Sequence, residues 1–288
     1  MMTLGTALRL GRVSNLPTVA TNAMAGSALT GAGIETDTLA LVVVASVLAY
    51  IAGMFLNDAF DASYDTINQP YRPIPAGLAS QAEVFAWGFG LLGASVVFFV
   101  LAGWVAGTGW PVSIAGLALA LTIVTYNRSH KENAFGPILM GLCRLLVYLA
   151  AALAVVAVPG PTLWIGAALL MAHVMGLTYV AKSESGGFVG RWWPLACIAA
   201  APVYGMMVGI GDVLVMPFAL ALLIADVFAL RFIKGTNPSF GRAIPLLIAT
   251  IPLLDGLLIA QMGRVDLALL ACVGFPLTLW LQRWVRGT

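Results

Sequence analysis

The stretch Leu39-Ala-Leu-Val-Val-Val-Ala-Ser-Val-Leu-Ala-Tyr-Ile-Ala-Gly-Met-Phe-Leu56 passes directly into Asn57-Asp58-Ala-Phe-Asp61-Ala-Ser-Tyr-Asp65, and Tyr71-Arg72-Pro73-Ile-Pro75-Ala-Gly77 follows. The eighteen apolar residues are long enough for a membrane-crossing helix. The acids that end it step by three and four, so on a helix Asp58, Asp61 and Asp65 share one face, and Asn57 sits one turn before Asp61. Like charges so close repel, and the face calls for a cation. Hard carboxylate oxygens suit Mg²⁺, which commonly carries a substrate phosphate. The competing reading is a solvated acidic helix end. Asp and Asn are poor helix formers, so local helix stability does not account for their choice.

Composition extends the membrane reading to the whole chain. Of 288 residues, 61% are hydrophobic and only 9% are charged, with a mean hydropathy of +0.98. A soluble domain carries about 25% charged residues. Apolar runs at about 16–33, 39–57, 83–105, 110–126, 135–157, 162–181, 192–210, 213–233, 242–262 and 266–285 read as spans. If the first run starts in the cytoplasm, inner ends and loops hold 12 of the 14 Lys and Arg, among them Arg9, Arg12, Arg72, Lys131 and Lys182. Outer loops hold Arg264 with Glu35, Asp37, Asp212 and Asp266. This positive-inside asymmetry predicts cytoplasmic termini and a cytoplasmic aspartate cluster. Cys143, Cys197 and Cys272 lie in apolar runs and read as free, buried thiols. There is no Gly-rich phosphate loop, no Ser-His-Asp set, no basic stripe for nucleic acid and no cleavable signal.

The pattern Asn57-Asp58-x-x-Asp61-x-x-x-Asp65 with Arg72-Pro73 resembles the first aspartate-rich motif of the UbiA superfamily of intramembrane prenyltransferases. The entry Arg9-Leu-Gly-Arg12-Val-Ser-Asn15-Leu-Pro17 is similar as well, and so is the segment around Lys131 and Gly141-Leu-Cys143-Arg144. The resemblance implies an all-α, polytopic transmembrane helical bundle of nine to ten spans formed by one domain over 1–288. Its central cavity would open to the cytoplasm and laterally to lipid. It implies Mg²⁺ held by Asp58, Asp61 and Asp65 with Asn57 assisting, and a polyprenyl diphosphate donor bound by Arg72, Lys131 and Arg144. A lipophilic or aromatic small-molecule acceptor and membrane lipid complete the expected partners. A plasma membrane, bacterial in kind, is the expected location.

Single residues carry open alternatives. Asn15 either caps a helix or faces the cavity and touches substrate. Arg144 lies about ten residues into a span, where an unpaired charge is expensive, so it is paired or lines a polar cavity. Asp226 and Asp255 also lie in spans and call for basic partners such as Arg144, Arg231 or Lys234. His173 is a weak candidate for an acceptor contact. The second family motif, Asp-x-x-x-Asp, is missing: the sixth span ends Tyr179-Val-Ala-Lys182-Ser-Glu184. Either Tyr179, Lys182 and Glu184 form a modified half-site, with Lys182 supplying charge in place of a metal, or Lys182 and Glu184 are an interfacial pair. A terpene cyclase on the same fold and a non-catalytic lipid transporter or binding protein are the rival functions.

Overall fold

The computed structural model describes residues 2–33, 35–129, 133–183, 191–234 and 238–285, and within them the chain is helical, without a strand. In order the helices are α1 Leu4–Leu10, α2 Leu16–Ala28, α3 Thr36–Phe60, α4 Ala62–Asn68, α5 Gln81–Val105, α6 Pro111–Ser129, α7 Gly136–Leu153, α8 Pro161–Lys182, α9 Trp193–Gly209, α10 Met216–Leu230, α11 Phe240–Ala249, α12 Ile251–Ala260 and α13 Val265–Leu281. Proline in the first turn opens α2, α7, α8, α9, α10 and α12, where the lost N–H had no partner to lose. Ser80 caps the start of α5: its hydroxyl accepts from the Glu83 N–H at 3.2 Å.

Each of the ten apolar runs contains helix, but among the described residues six helical stretches are long and apolar enough to cross a membrane. These are Thr36–Phe60, Gln81–Val105, Gly136–Leu153, Pro161–Lys182, Met216–Ile233 and Phe240–Ala260. The rest are shorter than their apolar runs suggested, α2 at 13 residues most clearly, or, like α6, carry more polar residues. Phe240–Ala260 is jointed at Thr250, because Pro252 has no N–H for the carbonyl of Ile248. The region after α3 holds α4 and then turns up to Ser80. Outward, α5 shows Trp87, Phe89, Val97 and Trp104. An apolar surface of that extent belongs against lipid. The protein is an integral membrane protein.

Two apolar clusters meet on α2 and α7. One gathers α3, α5 and α6, and the other gathers α8 to α13. Helix α2 packs against α3, α7, α12 and α13, so its Thr18, Thr21, Asn22 and Ser27 are buried and need internal partners. Close approach of α2 to α7 depends on Gly26: a Cβ there would fall 2.6 Å from the carbonyl oxygen of Tyr148. Gly26→Ala is therefore expected to destabilise the detergent-solubilised protein by about 1–3 kcal/mol, seen as a lowered Tm. An unchanged Tm would mean that this contact does not set the helix spacing.

Candidate active site

The acidic motif lies where α3 passes into α4. Its backbone stays helical across the joint: the Asp61 N–H donates to Asn57 O at 3.0 Å, and the Asp65 N–H donates to Asp61 O at 2.9 Å. The three carboxylates accordingly lie along one face, and all three are buried, Asp65 at 1% exposure. A solvated helix end is excluded by that burial.

The repulsion expected among these acids is relieved by two of the protein's own cations. Arg72 Nη1 donates to Asp65 Oδ2 at 2.8 Å and lies 3.5 Å from Asp58 Oδ1, and Arg12 Nη2 donates to Asp58 Oδ1 at 3.2 Å. Burial alone would lower the pKa of Arg72; the carboxylates of Asp58 and then Asp65 outweigh it and raise that pKa above the ordinary arginine value. Arg12 reaches the site from a left-handed backbone, φ +42°. That conformation costs a non-glycine residue about 1–2 kcal/mol, a strain of the kind held at functional sites. Arg12 also points Nη1 at the Met54 sulfur, 2.9 Å away.

Asn57 donates Nδ2 to Asn127 Oδ1 at 3.2 Å, and Asn127 in turn donates to Gly53 O at 3.1 Å. This leaves the side-chain oxygen of Asn57, Oδ1, without a hydrogen bond among the described residues. Asp65 Oδ1 is buried with no hydrogen-bond partner there. An orphaned buried carboxylate oxygen beside further hard oxygens fits a cation such as Mg²⁺. Among the described residues no three acid, His or Cys side chains converge on one point, because Asp58 and Asp65 turn to the arginines.

A cavity of about 550 Å³, its open mouth included, begins beside this cluster. Met54 and Asn127, which touch Arg12 and Asn57, are part of its wall, and Val19, Leu119, Ile123 and Val147 make much of it apolar. Arg144 lines it too. Its guanidinium lies 5.6 Å from the centre of the Tyr50 ring and is tied to α2 rather than to the aspartates. Asn15 makes no cap; it donates to Tyr50 Oη at 3.1 Å and accepts from Gln282 at 3.1 Å.

The remaining candidates fall elsewhere. Lys182 is exposed at the end of α8 and donates to Asn133 O at 3.0 Å. Tyr179 packs edge-on against Trp193 at 4.7 Å. Lys131 and Glu184 lie outside the described residues. His173, fully buried, is not part of the cavity wall; its Nδ1 faces Asp226 Oδ2 at 4.0 Å, so Asp226 meets a histidine rather than a lysine or arginine. Asp255 meets Arg144 only through Asn22. The three cysteines are free, but half-buried rather than fully buried. Arg12 and Asn127 escaped the sequence reading as site residues. Their positions, 46 and 70 residues from their partners Asp58 and Asn57, carry no local signal.

A model of the UbiA prenyltransferase family matches residues 17–243. A digeranylgeranylglyceryl phosphate synthase of Natronomonas pharaonis is 35% identical over 106 residues, 37% of this chain and 36% of that protein. The synthase of the same name from Methanoregula boonei is 41% identical over 99 residues, 33% and 32% of the two chains. The matched stretch spans about a third of these curated relatives, at 36% and 32% of their length. Both relatives are archaeal, which lends no support to a bacterial origin. Among solved structures, a UbiA homolog from Archaeoglobus fulgidus bound to GPP and Mg²⁺ superposes with a TM-score of 0.63 at 15% identity, covering 90% of this chain and 99% of that one. A structure from work on digeranylgeranylglyceryl phosphate synthase in membranes gives 0.62 at 18%, covering 91% and 99%. At such identities the likeness is one of fold.

Proposed function

The chain belongs to the UbiA prenyltransferase family, and from that premise we propose that it transfers a polyprenyl group from a prenyl diphosphate to a lipophilic or aromatic acceptor within the membrane. The reading rests above all on the buried Asp58, Asp61 and Asp65, whose neighbours Arg12 and Asn57 touch Met54 and Asn127 in the wall of a largely apolar cavity. We take 1–288 as a single catalytic unit. The asymmetry of basic residues is the reason for placing the aspartate end at the cytoplasmic face, with the cavity open there and toward lipid.

In this scheme Asp58, Asp61, Asp65 and the side-chain oxygen of Asn57 would hold Mg²⁺. Bound there, the ion would withdraw charge from the departing diphosphate. Arg12 and Arg72, which hold the acids in the structure, would turn from them when the ion is bound and present guanidinium N–H groups to the phosphate oxygens; Arg offers a planar fork matched to them. The bond from the allylic carbon to the diphosphate oxygen breaks with its electron pair leaving on oxygen, and the acceptor's nucleophile fills the carbon and sheds a proton. The apolar walls keep water from the allylic cation, and the Tyr50 and Tyr126 rings line the same space. Lys131 is assigned to the diphosphate, and Tyr179, Lys182 and Glu184 to the modified half of the site.

The test uses the full chain in lipid vesicles with geranyl diphosphate, following diphosphate release and prenylated product. EDTA is expected to lower the rate by roughly 100-fold or more, with Mg²⁺ restoring it. Release that ignores EDTA would overturn the metal assignment, and absence of any release would overturn the enzyme reading. Release with a cyclised product and no acceptor would convert the assignment to a cyclase. The name of the relatives makes a glyceryl phosphate lipid the first acceptor to try.

A further inference from the structure

We propose that Gln282, where α13 ends, is a positioning residue for the site: it fixes the side-chain amide of Asn15 and, through the turn that Asn15 closes, the placement of Arg12 at Asp58. The inference rests on the prenyl-transfer reading and adds to it a residue from the far end of the chain.

The turn is the single 3-10 element Val13–Asn15, entered from Arg12 at φ +42°. Its backbone bonds are few. The Asn15 N–H donates to Arg12 O at 3.0 Å, and the Leu16 N–H donates to Val13 O. A left-handed arginine persists only where its surroundings over-determine it. Side chains supply that hold. Thr18 Oγ1 donates to Asn15 O at 2.7 Å, and α13 packs against both this turn and α2.

Gln282 sets the polarity of the contact. Pro245 O, on α11, is a backbone carbonyl and can only accept. Gln282 Nε2 donates to it at 3.2 Å and to Asn15 Oδ1 at 3.1 Å. The Gln282 amide cannot turn over without setting its own oxygen against Pro245 O. Asn15 must therefore present Oδ1 to Gln282, which directs its Nδ2 to Tyr50 Oη at 3.1 Å. One carbonyl on α11 thus orients an amide on α13, then an amide at the turn, and then a hydroxyl in the cavity wall. Asn15 is 2% exposed, so water is not at hand to replace a bond lost there.

Anchorage of α13 alone would be met by one hydrogen bond of either sense. The relay instead runs on to Tyr50 and to the turn whose first residue pairs with Asp58. A displacement of about 1 Å at groups that position a substrate can lower a rate on the order of 100-fold, even when its cause lies far from the chemistry.

The experiment uses the full chain in lipid vesicles, with geranyl diphosphate and Mg²⁺, and two substitutions of opposite polarity. Gln282→Glu keeps the shape and removes both donors, whereas Gln282→Lys changes the shape and keeps donors. The glutamate variant should lower kcat/KM for diphosphate release by about 10-fold or more, and the lysine variant should retain at least about half of the wild-type value. A role through shape alone gives the reverse order, and that order would overturn the proposal. In an Asn15→Ala background Gln282→Glu should lower kcat/KM less than about 2-fold, because the group it acts through is gone. The same loss in both backgrounds would also overturn the proposal. Hydrogen exchange at the Asn15 and Leu16 amides, read in detergent without substrate, needs no activity. It should be at least about 10-fold faster in Gln282→Glu and close to wild type in Gln282→Lys. Unchanged exchange in the glutamate variant would show that Gln282 does not hold the turn. Gln282→Leu, which also lacks donors, serves with the same expectations if the glutamate variant does not fold. Absence of diphosphate release in wild type would strike the prenyl-transfer reading, and exchange would still decide whether Gln282 holds the turn.

Discussion

Asp65→Asn is expected to lower kcat/KM for prenyl transfer by about 100- to 1,000-fold, roughly 3–4 kcal/mol of transition-state stabilisation. The substitution keeps the side-chain shape and removes the charge. Asp65 is the most buried acid of the cluster, with Oδ2 held by Arg72 at 2.8 Å and Oδ1 left over. An amide cannot offer two anionic oxygens, so the cation site loses a ligand and Arg72 is left with Asp58 at 3.5 Å. Removing one partner of a buried pair costs about 3–5 kcal/mol in full burial. Here the loss of stability should be smaller, because the Arg72 side chain is 19% exposed and keeps Asp58. A thermal melt of each variant separates the two effects, and the Mg²⁺ concentration for half-maximal activity should rise with the charge loss. Asp37→Asn, an exposed acid at the opposite end of α3, is the matched control and should leave the rate unchanged. Wild-type kcat/KM in Asp65→Asn would remove the acidic cluster from the chemistry.

The cluster was legible because its evidence is local. Spacing of three and four puts acids on one helical face whatever surrounds the helix, and α3 and α4 keep that spacing through their joint. What lay beyond one helix was not legible. Arg12 meets Asp58 from a left-handed turn, and Asn22 meets Asp255 across 233 residues. Span number was also beyond reach: when lipid-facing and packing faces are both apolar, the helical period vanishes from the sequence, and a joint such as Thr250 leaves no trace except Pro252. The sequence correctly demanded a counter-cation for the acids but pointed to a metal. Arginines hold the acids in the structure, so cation binding and release of Arg12 and Arg72 become coupled events. That coupling makes the arginine as informative to change as the acids.

Arg72→Gln is expected to lower kcat/KM by about 100-fold, through weaker capture of the diphosphate and of the charge it gains on leaving. A stability readout accompanies the activity. Without Mg²⁺, Arg72 Nη1 is the group that serves both Asp58 and Asp65, so its loss exposes two buried carboxylates to each other. The variant should therefore melt lower than wild type in EDTA and gain more from Mg²⁺, because a ligand that binds the folded state stabilises it by mass action. The pH dependence can be signed in advance. The folded-state pKa of Arg72 is raised, so its contribution is fully present below the unfolded arginine value and is lost only above that range. Between about pH 6 and pH 9 the ratio of wild-type to variant activity should thus be flat as far as Arg72 is concerned. Arg72→Lys keeps the charge but not the planar fork, and should fall between the two. If Arg72→Gln melted like wild type in EDTA and gained nothing extra from Mg²⁺, the arginine would not be the stand-in for the cation, and the exchange of one for the other at Asp58 and Asp65 would have to be abandoned.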